Sequence, residues 1–136
     1  MKNIHILFII SALFILVSCK SARERSLNYI KEGNALERIS EFAKAQEKYQ
    51  QAIDAEPGNA SAWFFMGNVK RNQGMTKESI TYYNKAIELD STFADAYANR
   101  GDAKFSLKDR DGSCKDYLKA EELGKENMDE KTKWCR

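Results

Sequence analysis

Ala60-Ser61-Ala62-Trp63-Phe64-Phe65-Met66-Gly67-Asn68-Val69, then Asn72-Gln73-Gly74, then the run from Lys77 to Leu89: this stretch decides the fold. The first piece reads as a helix of about three turns, and Asn72-Gln73-Gly74 breaks it. In the second piece Ile80, Tyr83, Ala86 and Ile87 fall on one face at three- and four-residue steps, which is the pattern of an amphipathic helix. Helix, short turn, helix makes a hairpin that cannot bury its apolar face alone. It needs neighbours of the same kind.

Those neighbours recur with a period of 34. Gly33, Gly67 and Gly101 keep that spacing, and so do Tyr49, Tyr83 and Tyr117. Ala52, Ala86 and Ala120 form a third series, and the aromatics Tyr29, Trp63 and Tyr97 a fourth. Four series in phase predict a stack of helical hairpins in which each unit covers the next. Glu56-Pro57-Gly58-Asn59 separates the first two units, with Asn59 placed to cap the following helix. Thr92-Phe93-Ala94-Asp95 reads as a capping-box start for the third unit, and Gly124 as a carboxyl cap.

These residues resemble the tetratricopeptide repeat. The resemblance places repeats at 26–59, 60–93 and 94–127, with the family's small first-helix position on Gly33, Gly67 and Gly101. Its second-helix small position falls on Ala45, Ser79 and Ser113, its aromatic on Tyr49, Tyr83 and Tyr117, and its last alanine on Ala52, Ala86 and Ala120. Departures are Glu32 and Arg100 where leucine is usual, and Lys70 and Lys104 where tyrosine is usual. Only Pro57 meets the terminal proline; Ser91 and Lys125 replace it elsewhere. The implied fold is all-α, a solenoid of three helix-turn-helix repeats. A C-terminal capping helix over 128–136 would close it, with Met128, Lys131, Trp134 and Cys135 on one face.

Outward from the repeats, the amino end reads as a targeting segment. Lys2 precedes an apolar run from Ile6 to Val17, broken only by Ser11 and followed by Ser18-Cys19. The run is shorter than the roughly 20 apolar residues that span a bilayer, so residues 1–18 read as a signal peptide. Leu16-Val17-Ser18-Cys19 resembles the bacterial lipobox, which implies cleavage before Cys19 and lipidation of its thiol. Residues 19–25 would then be a lipidated tether, and the chain would sit in a bacterial envelope on the periplasmic face of a membrane or at the cell surface. An ordinary signal peptide with a chance cysteine is the alternative.

Composition removes other classes. With 22 basic and 20 acidic residues the net charge is +2, too balanced to argue for a nucleic acid. The one histidine, His5, lies in the segment to be removed, so His-based triads and metal sites are not expected. No phosphate-binding glycine motif and no cysteine pair at metal spacing occurs. The chain reads as non-enzymatic, with no cofactor and no metal.

By position in the family, the concave lining of the stack would include Leu27, Ile30, Asn34 and Arg38. It would continue with Phe64, Phe65, Asn68, Arg71 and Asn72, then Asp95, Asn99, Asp102 and Phe105. Asn34, Asn68 and Asp102 again repeat every 34 residues, and amides at that pitch can hydrogen-bond an extended peptide. The same residues could equally form a solvated polar face, and Phe64 and Phe105 could pack between helices; Phe65 is the better contact anchor. The family's clamp for acidic carboxyl-terminal peptides would fall on Ile30, Asn34, Phe65, Asp95 and Asn99, and only Asn34 matches it.

Cys114 and Cys135 remain once Cys19 is committed to lipid. Cys114 takes the inward position that Ile80 holds in repeat two, and Cys135 lies one 34-residue step past Gly101. Both should face one seam and form a disulfide in an exported protein; the alternative is a buried small hydrophobe and a free terminal thiol. The function expected is a membrane-anchored interaction module whose groove takes an envelope protein or peptide. The alternative is a structural or cell-wall/glycan-associated lipoprotein in which Trp63, Tyr97 and the phenylalanines would stack on sugars.

Overall fold

The structure is a computed structural model describing residues 21–135. The signal segment 1–18 and Cys19 lie outside the described residues. Within them the chain is all helix, with no strand: α1 over 21–38, α2 Phe42–Ala55, α3 Ala60–Asn72, α4 Thr76–Leu89, α5 Ala94–Ser106, α6 Arg110–Glu122 and α7 Asp129–Thr132. Successive helices pack antiparallel as three hairpins, and α3 also touches α5, so first helices line up along one side. No helix among the described residues is long and apolar enough to cross a membrane.

The 34-residue period has a physical cause that is more specific than close helix backbones. A Cβ added to Gly33 would collide with the ring of Tyr49, and one on Gly67 would lie 2.6 Å from Tyr83 Cε1. On Gly101 it would lie 2.6 Å from Tyr117 Cε1. Each second-helix tyrosine therefore lies flat over the glycine of its own first helix. Alanines and serines complete the seam: Ala45, Ser79, Ala52, Ala86 and Ala120 are fully buried and Ser113 nearly so. The serine hydroxyls donate within their own helices, Ser79 to Thr76 O (2.7 Å) and Ser113 to Arg110 O (2.8 Å), so burying them leaves no orphan donor.

The turn between the helices of each hairpin repeats as well. Ser40, Gly74 and Lys108 all have left-handed backbone, with φ of 62°, 79° and 65°. In each case two amides return to the helix end, as Gly74 N to Arg71 O and Met75 N to Lys70 O do at 2.9 Å. This closes the orphan carbonyls of the first helix. Only Gly74 carries the residue that adopts this conformation freely. Gly124, with φ of 83°, ends α6 in the same way.

At the helix starts, Asn59 Oδ1 accepts from Ser61 N (3.1 Å) while its Nδ2 donates to the buried Ser26 hydroxyl, tying α3 to α1. The capping box over Thr92–Asp95 is not formed. Phe93 precedes α5 without a side-chain cap, and Asp90 instead accepts from both the amide and the hydroxyl of Thr92 (2.9 and 2.7 Å). Those two bonds hold the Asp90 carboxyl below its usual range.

Both ends differ from the sequence reading. The segment 19–25, read as a tether, is helix from residue 21 onward and forms the first turns of α1. The capping helix over 128–136 is a single turn, Asp129–Thr132. Met128 and Thr132 face inward, whereas Trp134 is 80% exposed, so the inner face is not the one containing Lys131 and Trp134. A four-residue turn suffices because the sulfurs of Cys114 and Cys135 are joined, with a Cα–Cα distance of 5.3 Å.

Candidate functional site

The first helices α1, α3 and α5 present the groove, and tyrosine hydroxyls organise its floor. Tyr49 donates to Asn34 Oδ1 (2.7 Å), Tyr83 to Asn68 Oδ1 (2.9 Å) and Tyr117 to Asp102 Oδ1 (2.9 Å). The same ring that covers the glycine thus pins the polar residue next to it. Burial raises all three phenol pKa values, Tyr83 to about 12. They stay protonated and keep donating throughout the neutral range.

The consequences differ between repeats. Asn34 and Asn68 have Oδ1 committed, so what each offers a ligand is its Nδ2 donor. Asn99 donates Nδ2 to Asn68 Oδ1 (2.8 Å), and keeps an acceptor to offer. Asp102 offers nothing: Tyr117 and Lys131 share Oδ1, and Arg71 lies 3.5 Å from Oδ2. Arg71 is thereby held in the seam between α3 and α5. Glu37, which no sequence argument singled out, joins this floor: its Oε2 lies 2.7 Å from the Tyr49 hydroxyl, sharing that single proton with Asn34, and its Oε1 accepts from Asn72 (3.3 Å).

The aromatics divide. Phe64 is 8% exposed and packs on Phe93 and Tyr83, with ring centroids 4.8 and 6.0 Å away, so it is core and leaves the groove. Phe65 is half-buried and stacked on Tyr49 at 5.5 Å, filling the seam between repeats one and two rather than standing free as an anchor. Phe105 is 57% exposed, a free apolar surface at the far end of the groove. Trp63 and Tyr97 are packed between helices: the Trp63 indole donates to Pro57 O (2.9 Å), and Tyr97 lies under the Arg100 guanidinium. Of the remaining lining, Ile30 is buried in the first core cluster, Leu27 and Arg38 are exposed, and Asp95 pairs with Lys125.

The four departures from the repeat pattern find partners on second helices. Glu32 pairs with Lys48 (2.6 Å) and Lys70 with Glu78 (3.0 Å). Arg100 grips the buried Asp116 through two bonds of 2.8 and 2.6 Å, and Lys104 reaches the same carboxylate at 2.8 Å. The glutamate holds the Lys48 ammonium above its usual range. At the place of Arg100 and Asp116, repeat two has Met66 and Tyr82. Paired charge and apolar contact are thus interchangeable fillings of one seam. Among the described residues no group of acidic, cysteine or histidine side chains could hold a metal.

Comparison with known proteins agrees with this architecture. Residues 67–108 match the sequence model of the TPR repeat, and residues 94–127 that of the tetratricopeptide repeat. RNA polymerase II-associated protein 3 of Xenopus tropicalis is 34% identical over 116 residues, which is 80% of this chain and 16% of that protein. The chain therefore spans about a sixth of the length of such relatives. Among solved structures, the first TPR of Spaghetti (RPAP3), bound to HSP90 peptide SRMEEVD, superposes with a TM-score of 0.78 at 21% identity, covering 83% of this chain and 91% of that one. The Arabidopsis OM64 TPR domain superposes with a TM-score of 0.78 at 23% identity, covering 85% of this chain and 97% of that one.

Proposed function

From the premise that this chain carries tetratricopeptide repeats in a TPR solenoid, we propose that it is a non-catalytic interaction module whose groove holds an extended peptide or protein segment. The observation that carries this is the row of Asn34, Asn68 and Asn99, each with one amide end pinned and one end available. Two donors, on Asn34 and Asn68, and one acceptor, on Asn99, can meet the carbonyls and amides of a peptide backbone whatever its side chains. The HSP90 peptide seen in Spaghetti is not the ligand we propose, because the clamp positions here hold Ile30, Phe65 and Asp95 instead of basic and amide groups. Capture from detergent-solubilised membranes on wild-type and on Asn34→Ala/Asn68→Ala chain tests the groove. A partner retained equally by both would refute it.

We further propose that Cys19 is lipidated and that the array stands in a bacterial envelope, held close to the membrane because helix α1 begins by residue 21. The support is Leu16-Val17-Ser18-Cys19 after the apolar run. Two or more acyl chains anchor a protein stably, one only marginally. Radiolabelled palmitate should label wild type and not Cys19→Ala, and a wild-type protein found wholly in the soluble fraction would end the idea. The packing of Trp63 and Tyr97 between helices supports the interaction module over the glycan-associated reading, which needs those faces free.

A further inference from the structure

We propose that the cavity at the carboxyl-terminal end of the groove docks one large apolar side chain flanked by carboxylates on a partner peptide. This deepens the peptide-binding reading and rests on it. The cavity measures about 390 Å³ and is walled by Phe105, Tyr117, Trp134 and the disulfide, with Arg110 and Lys131 as its only charged groups among the described residues. Among the described residues no acidic side chain lines it.

Two features give the occupant its chemistry. Phe105 and Trp134 are 57% and 80% exposed, and the fold does not need them there, since Met128, Thr132 and Tyr117 already seal the last repeat. Exposed aromatics beside a formed cavity are what a partner's apolar side chain buries against. The charge at the rim is one-sided. Among the described residues Arg110 makes no ion pair, and Lys131 shares its only carboxylate, Asp102, with Arg71. A guanidinium with no partner beside an apolar hole favours a carboxylate adjacent to an apolar group. Tyr117 and Lys131 belong both to this cavity and to the groove floor, so a peptide in the groove runs directly into it. The site lies on the end of α5, on α6 and on the cap, and uses none of the clamp positions.

The test is calorimetric titration of the full chain in detergent with acetyl-Gly-Asp-Phe-Asp-Gly-amide. Affinity should fall about tenfold or more when the peptide's phenylalanine becomes alanine or both aspartates become asparagine, and equally in Phe105→Ala or Arg110→Gln chain. Both side chains are exposed, so thermal unfolding of these variants should match wild type. Arg110→Glu should reverse the preference toward acetyl-Gly-Lys-Phe-Lys-Gly-amide. Asn68→Ala should leave this short peptide's affinity unchanged while weakening the groove's own partner, so either reading can fail without the other. Equal binding of the three acidic, neutral and alanine peptides would overturn the proposal. A dimer in sedimentation that Phe105→Ala dissolves would also overturn it, by making a second copy the occupant.

Discussion

Replacing Gly67 by alanine is the sharpest test of the packing, because two opposite effects compete and the structure decides the sign. In a bare helix the change stabilises by about 1 kcal/mol, since glycine is the poorest helix former after proline. Here the new Cβ would sit 2.6 and 2.8 Å from Cε1 and Cδ1 of Tyr83. Ordinary carbon contacts need about 3.5–4.0 Å, so the ring must move by about 1 Å. It is fully buried and backed by Phe64, and it carries the 2.9 Å bond to Asn68. Overpacking of this kind costs about 1–3 kcal/mol, and losing the hydrogen bond costs about 1 kcal/mol more. The net is a destabilisation of about 1–3 kcal/mol, which lowers Tm by roughly 4–12 °C for a domain of this size. Urea unfolding followed by circular dichroism reads it, with one cooperative transition for the whole array. In a Tyr83→Ala background the clash is gone, and Gly67→Ala should there become neutral or stabilising. A Gly67→Ala protein more stable than wild type would refute the ring-over-glycine account of the 34-residue period.

Other perturbations follow from the same contacts. Reducing Cys114–Cys135, which closes a separation of 21 residues, should lower stability by roughly 3 kcal/mol and release the cap; hydrogen exchange at Met128 and Thr132 should rise first, and unchanged exchange would count against the bridge. Because the folded pKa of Tyr83 is raised to about 12 from an ordinary 10, its contribution is complete below pH 10 and fades as the pH rises from 10 toward 12. Tyr83→Phe should flatten that alkaline limb by up to about 1.4 kcal/mol per pH unit, measured by urea unfolding between pH 10 and 12. Asp116→Ala strands Arg100 and Lys104 and should cost about 3–5 kcal/mol, whereas Arg100→Met/Asp116→Tyr, which copies repeat two, should fall within about 1 kcal/mol of wild type. If the double variant were as unstable as the single one, charge and apolar fillings of that seam would not be equivalent.

What could be read from the sequence was whatever the packing had to repeat. Gly67 and Tyr83 carry the register because a ring lying on a helix tolerates no side chain beneath it, and that constraint recurs in every hairpin. Asn34, Asn68 and Asp102 stood out by their spacing, yet their role did not. The clue was the tyrosine series, 15 residues later in each repeat, which holds their oxygens and leaves only part of each residue for a ligand. Asp102 and Asn68 hold equivalent places and differ in use, because Tyr117, Lys131 and Arg71 occupy the carboxylate of the one, whereas the other, with its oxygen held by Tyr83 and Asn99, keeps an amide donor.

Left-handed turns were visible only at the glycines, Gly74 and Gly124. Ser40 and Lys108 adopt the same conformation without the residue that signals it, because the helix ends on either side dictate it. The cap was the hardest element to foresee, since its four helical residues have no amphipathic period of their own and are placed by a covalent bond and two buried side chains. Arg100 and Lys104 looked like defects in a repeat. With Asp116 they form its polar equivalent, so a departure from an apolar pattern is explained by the residue facing it and not by its own neighbours in sequence.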